Sequence, residues 1–342
     1  MTPLQPARGQ LKSELCTFLI IAFGATFLFE IAGIGIYGSK MLSSKIPAIA
    51  MFIPAVTAIF CLVYFKSTAL TRESKLFLAL FLITAGTLIF EMAFFPILGT
   101  AGSYPILSVT TSFGSLVLVF ILNLKDTWRT NLVSAKLSFG KNRLMYLVLS
   151  VTFSTIVIIG YLLSYFLGLS LPLGDFNMNI FFSTLGFSLL MLVISWPVYF
   201  GEEYGWRFYL QDRMFALFGR YTGVVLIGLV WGLWLAPMML VGLNFPGEPV
   251  IPANAMYLVY TIIMSIIFGY AVLKTGSIWI AVLLHALTDM TVNAARVSIS
   301  SANTIVSFLP ILVLLGVLAL ILVRSKLWTN EKPVGENDPV VA

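Results

Sequence analysis

Histidine is almost missing from this chain: His285 is the only one in 342 residues. That excludes a three-histidine metal centre, and no HExxH stretch is present. Cysteine is equally scarce. Cys16 and Cys61 stand alone with no CxxC spacing, which excludes a disulfide framework and a thiolate zinc site, and both read as core residues. Charge is the third shortage, at 10% of residues against 59% hydrophobic. With a mean hydropathy of +1.00, the chain cannot cover a soluble surface, so the composition excludes an ordinary soluble domain.

Long apolar runs fill the space that charge leaves. A helical span needs about 20 consecutive apolar residues, and ten runs qualify: 15–37, 46–65, 76–98, 104–124, 144–168, 179–201, 220–243, 255–273, 276–295 and 304–323. The first is too long for a signal-peptide core and lacks a small-residue cleavage site, so it is expected to be retained. The expected fold is therefore all-α, a polytopic membrane helix bundle of about ten transmembrane helices. With the N-terminus in the cytoplasm, 17 of the 20 basic residues fall in cytoplasmic segments and only Lys40, Lys45 and Arg296 lie outside. This bias places both termini in the cytoplasm. The net charge of +6 then faces anionic inner-leaflet lipid, and no nucleic-acid partner is implied. The expected location is multi-pass in a bacterial-type plasma membrane.

Polar interruptions give the organisation. The basic stretch "LKDTWRTNLVSAKLSFGKNR" at 124–143 separates residues 1–143, with four spans, from a six-span bundle at 144–323. The tail at 324–342 is polar and is expected to be a disordered cytoplasmic segment. Glu30 and Glu91 interrupt spans of the first half, and ionisable groups at such depth are functional candidates by default.

The sixth run ends in "SWPVYFGEEYGWRFYLQ", residues 195–211. Residues four apart share a helical face while neighbours diverge by about 100°. Glu203 and Arg207 are therefore expected to pair, which leaves Glu202 available as a general base. If the helix stops at Gly201, Glu202 lies at the membrane surface and His285 roughly 15 Å deep. The two meet only if the helix continues past Arg207. Otherwise "WRFYLQDRMFALFG" would form an interfacial amphipathic helix. A second stretch, "GSIWIAVLLHALTDMTVNAAR" at 276–296, sets His285, Asp289 and Asn293 on one face of an apolar helix. Such a stripe is expected to look into the bundle interior, where Glu202 could meet it.

These residues resemble a known family. "EEYGWR" at 202–207 is similar to the "EExxxR" motif of the CPBP (Abi) intramembrane proteases, which include the type II CAAX prenyl proteases. "HALTD" at 285–289 resembles their last motif, "HxxxN" or "HxxxD". The family's middle motif, "FxxxH", corresponds to "WGLWLAP" at 231–237, where Trp231 stands for the aromatic and Leu235 occupies the histidine position. The resemblance covers roughly residues 180–300. It implies a buried proteolytic site open toward the cytoplasm, with Glu202 activating water, Glu203 and Arg207 as a structural pair, and His285 with Asp289 stabilising the oxyanion. Trp231, Leu235 and Asn293 would then line the substrate pocket, flanked by Trp234, Met238 and Met239. Family members are often described as metalloproteases, and His285, Glu202 and Asp289 make a three-ligand zinc site on paper. The expectation here is nevertheless no metal and no cofactor, since two of those ligands are hard oxygen donors.

Three functions compete. The first is an intramembrane endopeptidase acting on a membrane-associated, prenyl-like peptide. Leu235 favours the second, a catalytically silent relative that binds a partner as a scaffold or immunity protein. The third is a transporter in which Glu30, Glu91, His285 and Asp289 carry ions.

Overall fold

The structure, a computed structural model, describes residues 7–37, 46–94, 106–169, 176–298 and 304–329. Those residues form helices and no strands. In a bilayer every backbone N–H and C=O must be satisfied within its own segment, and apolar runs of this length have no other route. The helices are α1 (Arg8–Tyr37), α2 (Ile46–Ala50), α3 (Ile53–Phe65), α4 (Arg72–Phe94), α5 (Ile106–Leu124), α6 (Asp126–Asn131) and α7 (Leu144–Phe166). Next come α8 (Met178–Glu203), α9 (Gln211–Phe218), α10 (Arg220–Trp234), α11 (Ala236–Leu240), α12 (Val250–Thr275), α13 (Trp279–Ser298) and α14 (Ile305–Leu322).

Each of the ten apolar runs contains a helix, but they are not equivalent. Among the described residues, eight segments are long and apolar enough to cross a membrane. The other two are α10, which breaks after 15 residues, and α13, which carries the polar stripe. The chain is an integral, multi-pass membrane helix bundle. Leu28, Val63, Ile106, Phe182, Leu190 and Leu320 point outward, as a lipid-facing surface requires.

One end of the bundle gathers the basic segments. Arg213 bonds Glu14 at 2.9 Å and Ser67 at 2.9 Å, and Lys136 pairs with Asp212 at 2.5 Å. Thr71 donates to the carbonyl of Asn131 at 2.7 Å, Trp279 to that of Leu137 at 2.8 Å and Asn142 to that of Lys274 at 2.8 Å. The 124–143 stretch is thus docked, with Leu132, Ala135 and Leu137 buried. The tail departs from expectation at its start, because Trp328 is buried against Phe215 and Tyr221; residues 330–342 lie outside the described residues. Cys16 also departs, being exposed, while Cys61 is buried; an apolar setting in a bilayer protein can as well be the outer face.

Two close approaches set the core around the site. A Cβ on Gly205 would lie 2.3 Å from the Pro54 side chain, and one on Gly228 would lie 2.5 Å from the Ile262 Cα. Small residues of this kind bring backbones together where lipid supplies no hydrophobic drive between helices. They seat the end of α8 on α3 and lay α10 along α12.

Candidate active site

The helix that carries the glutamate pair does not stop at Gly201. α8 runs through a π-helical stretch, Tyr204–Leu210, into α9, so one segment covers Met178–Phe218. A π-turn widens the helix by one residue per turn and turns side chains out of α-helical register, a device frequent at functional sites. Residues 200–211 are buried throughout, which rules out an interfacial amphipathic helix here. Arg213 lies at the basic end, and Glu202, eleven residues earlier, is about 16 Å further in by helical rise.

Glu203 is the hub. One carboxylate oxygen accepts from Arg207 Nε at 3.1 Å and the other lies 2.8 Å from His285 Nδ1. The π-turn does not break the four-residue pairing. Arg207 donates through Nη1 to Ser265 at 3.1 Å, and Ser265 donates in turn to the carbonyl of Val224 at 2.9 Å. Its guanidinium sits 4.7 Å from the Trp231 ring centroid and 5.5 Å from that of Phe268. Glu203 and Arg207 are completely buried. Hydrogen bonds offset the cost of burying such a pair; they satisfy Nε and Nη1 and tie α8 to α12 and α13, while Nη2 has no hydrogen-bond partner among the described residues.

Glu202 faces elsewhere. Its Oε1 accepts from Trp231 Nε1, so α10 orients it, and no second donor among the described residues holds it. Trp231, expected as a pocket aromatic, is therefore also a polar ligand of the carboxylate. Glu30 on α1 is fully buried, and among the described residues neither of its oxygens has a hydrogen-bond partner. Glu91 lies apart from this set, accepting from the backbone of Ser108 at 3.3 Å.

His285 sits in an aromatic cage, its ring centroid 5.4 Å from Tyr199, 5.8 Å from Trp231 and 6.1 Å from Phe268. Its nearest acid is Glu203, not Glu202. Nε2 lies 3.9 Å from Asp289 Oδ2, beyond hydrogen-bond distance. The polar stripe of α13 does not stay inside. Asp289 has half its side chain exposed and Asn293 is exposed. Both line a groove of about 290 Å³ between α8 and α13, with Phe187, Met191 and Tyr199 on its walls. The groove lies on the side of His285 away from the basic end, because α13 runs inward from Trp279 and Asp289 follows His285.

Leu235 ends α10 and precedes Pro237 in α11. Half-buried and packed on the core, it brings no polar atom to the site. Sequence reasoning missed Ser265 and Thr26; hydroxyls in the middle of apolar runs were their only signal.

Glu203 is shared between His285 Nδ1 and Arg207, and one oxygen of Glu202 is taken by an indole N–H, so neither carboxylate is wholly free for a metal. Among the described residues no three His, Cys, Asp or Glu side chains group as metal ligands.

Residues 184–291 match a family model described as type II CAAX prenyl endopeptidase Rce1-like. Comparison with curated proteins gives no match. The matched stretch runs from α8 into α13 and includes Glu202, Glu203, Arg207, Trp231, Leu235, His285 and Asp289, but not Asn293 or Glu30. Residues 184–291, which carry the buried glutamate pair, Arg207, His285 and Asp289, are thus similar to the Rce1-like type II CAAX prenyl endopeptidases.

Proposed function

We propose that the protein is an intramembrane endopeptidase in which Glu202 activates water against a peptide bond. The observation that carries this reading is the division of labour between adjacent carboxylates. Glu203 is fully committed to Arg207 and His285, whereas Glu202 is held by one indole N–H and keeps an oxygen for water. A base must be oriented and still have a lone pair free. His285, anchored through Nδ1, offers Nε2 to the carbonyl oxygen or leaving group beside Asp289.

The substrate is a membrane-associated peptide, and a prenylated chain end fits its surroundings. An apolar groove of about 470 Å³ between α5, α7, α8 and α13, walled by Phe120, Leu192 and Trp279, suits a lipid chain. The placement of the Asp289 groove supports entry from within the bilayer, between α8 and α13, rather than from the basic end. The positive-inside bias makes that basic end, with both termini, cytoplasmic.

The test is cleavage of prenylated and unprenylated fluorogenic peptides by the purified protein, with Glu202→Gln beside it. Turnover that disappears in Glu202→Gln supports the enzyme. Peptide binding without turnover supports the second reading, a silent binding protein, which Leu235 in the histidine position favours.

A further inference from the structure

Glu30 is a buried carboxylate to which no donor among the described residues offers a hydrogen bond. It lies on α1, outside the stretch that matches the protease family. Its place is fixed by a neighbour. Thr26, one turn earlier on the same helix, accepts a hydrogen bond from Trp234 Nε1 at 2.8 Å. Residues four apart on a helix stand one above the other, so the bond brings the Glu30 face of α1 to the end of α10. There Leu235 terminates the helix, and α1 packs on α11 just beyond it. Phe18 reinforces the docking, its ring 5.7 Å from Trp206, which lies 5.5 Å from Trp234. Leaving a carboxyl without a partner in such a place costs roughly 1–3 kcal/mol even when it is neutral, and far more when charged. A leucine would pack there without that cost. Trp231, which donates to Glu202, and Trp234, which donates to Thr26, stand one turn apart on α10, so the same helix holds both carboxylate-bearing segments.

We infer that Glu30 is the second proton-handling group of the site, serving in place of the histidine whose position Leu235 fills. The inference rests on the protease reading. Two carboxylates that interact in a water-poor site share one proton, because both cannot be charged together. At the start Glu202 is ionised and Glu30 carries the proton. Water attacks the carbonyl carbon, its proton passes to Glu202, and the carbonyl π pair moves to oxygen. When the tetrahedral intermediate collapses, the C–N bond breaks and the amine nitrogen takes the proton of Glu30. Glu202 then holds one proton and Glu30 none, and transfer between them restores the pair. The net reaction is peptide plus water to acid plus amine.

The experiment uses the full chain and the same peptides, comparing Glu202→Gln, Glu30→Gln, and Glu30→Gln combined with Leu235→His. The expected result is a fall in kcat of about 10²-fold or more for Glu30→Gln with KM little changed. Adding Leu235→His should raise kcat again by at least about tenfold, since loss of one positioned acid–base group is what it repairs. The thermal midpoint of Glu30→Gln should equal or exceed that of the unchanged chain. Unchanged kcat in Glu30→Gln, while Glu202→Gln is inactive, overturns the inference and leaves the protease standing. A loss that Leu235→His does not restore overturns it too, by making Glu30 a packing residue. Absence of turnover in the unchanged chain removes the protease reading itself, and this inference with it.

Discussion

His285 presents Nδ1 to Glu203 Oε1 at 2.8 Å, so the single imidazole of the chain is tied to the glutamate that also holds Arg207. A carboxylate can only accept, and the bond therefore places a proton on Nδ1. Nε2 is left as the nitrogen that faces the Asp289 groove. The adjacent glutamates divide into an anchor, Glu203, and a candidate base, Glu202.

That division predicts opposite phenotypes. Glu203→Ala leaves Arg207 as an uncompensated buried charge, which should cost about 3–5 kcal/mol. Thermal unfolding in detergent would show it as a large drop in midpoint. Glu202→Gln keeps an acceptor for Trp231 and should stay within about 1 kcal/mol of the unchanged chain, while peptide cleavage is lost.

Trp231 separates its two roles on substitution. Trp231→Phe keeps an aromatic face under Arg207 but removes the N–H donated to Glu202. A hydrogen bond to a charged group is worth about 1.5–3 kcal/mol, so kcat/KM should fall about 10–100-fold, together with a drop in unfolding midpoint. An unchanged kcat/KM would detach the indole from the chemistry.

Much of this site was legible in the sequence. Four-residue spacing placed Arg207 beside Glu203, and the same arithmetic put Asp289 beside His285, though at 3.9 Å. Spacing within one helix cannot say which carboxylate of a second helix the histidine meets; that depends on how α8 and α13 are rotated against each other. Nor could periodicity show that the α13 stripe leaves the core at Asp289, because exposure depends on how far α8 stands from it. The continuation of α8 past Gly201 was open for a related reason: the polar residues of 202–213 read as a helix end, yet their partners, Glu14 on α1, Ser67 after α3 and Ser265 on α12, are distant in sequence.

Gly205 tests how tightly the π-turn is seated. A Cβ there meets Pro54 at 2.3 Å on the side chain and 2.7 Å on the backbone carbon. Gly205→Ala should cost about 1–3 kcal/mol through overpacking and displace Glu203 and Arg207. A fall in unfolding midpoint together with reduced cleavage is the expected pair of readings. Preserved values for both would mean that α3 yields freely.

Topology can be read with thiol reagents in a Cys16→Ser, Cys61→Ser background. Lys274→Cys, at the basic end, should react with a membrane-impermeant maleimide only after the cells are opened. Asn293→Cys should react with a lipophilic maleimide in intact membranes if the groove opens to the bilayer as proposed, and lack of reaction would overturn lateral entry. Labelling of Lys274→Cys in intact cells would reverse the orientation.

Asp289 gives the last prediction, through the chemistry of its side-chain terminus. It lines the groove beside His285 Nε2 with half its surface exposed, where a carbonyl oxygen would gain charge during attack. An ionised carboxylate has no proton to donate and repels that charge, whereas an amide donates through nitrogen and carries none. Asp289→Asn should therefore raise kcat without lowering the unfolding midpoint, since no close hydrogen bond of Asp289 is lost. The gain should appear in kcat and not in KM, because the added hydrogen bond strengthens only as the oxyanion forms. A fall in kcat would instead give Asp289 a role as a charge, holding the imidazolium of His285 across the 3.9 Å gap.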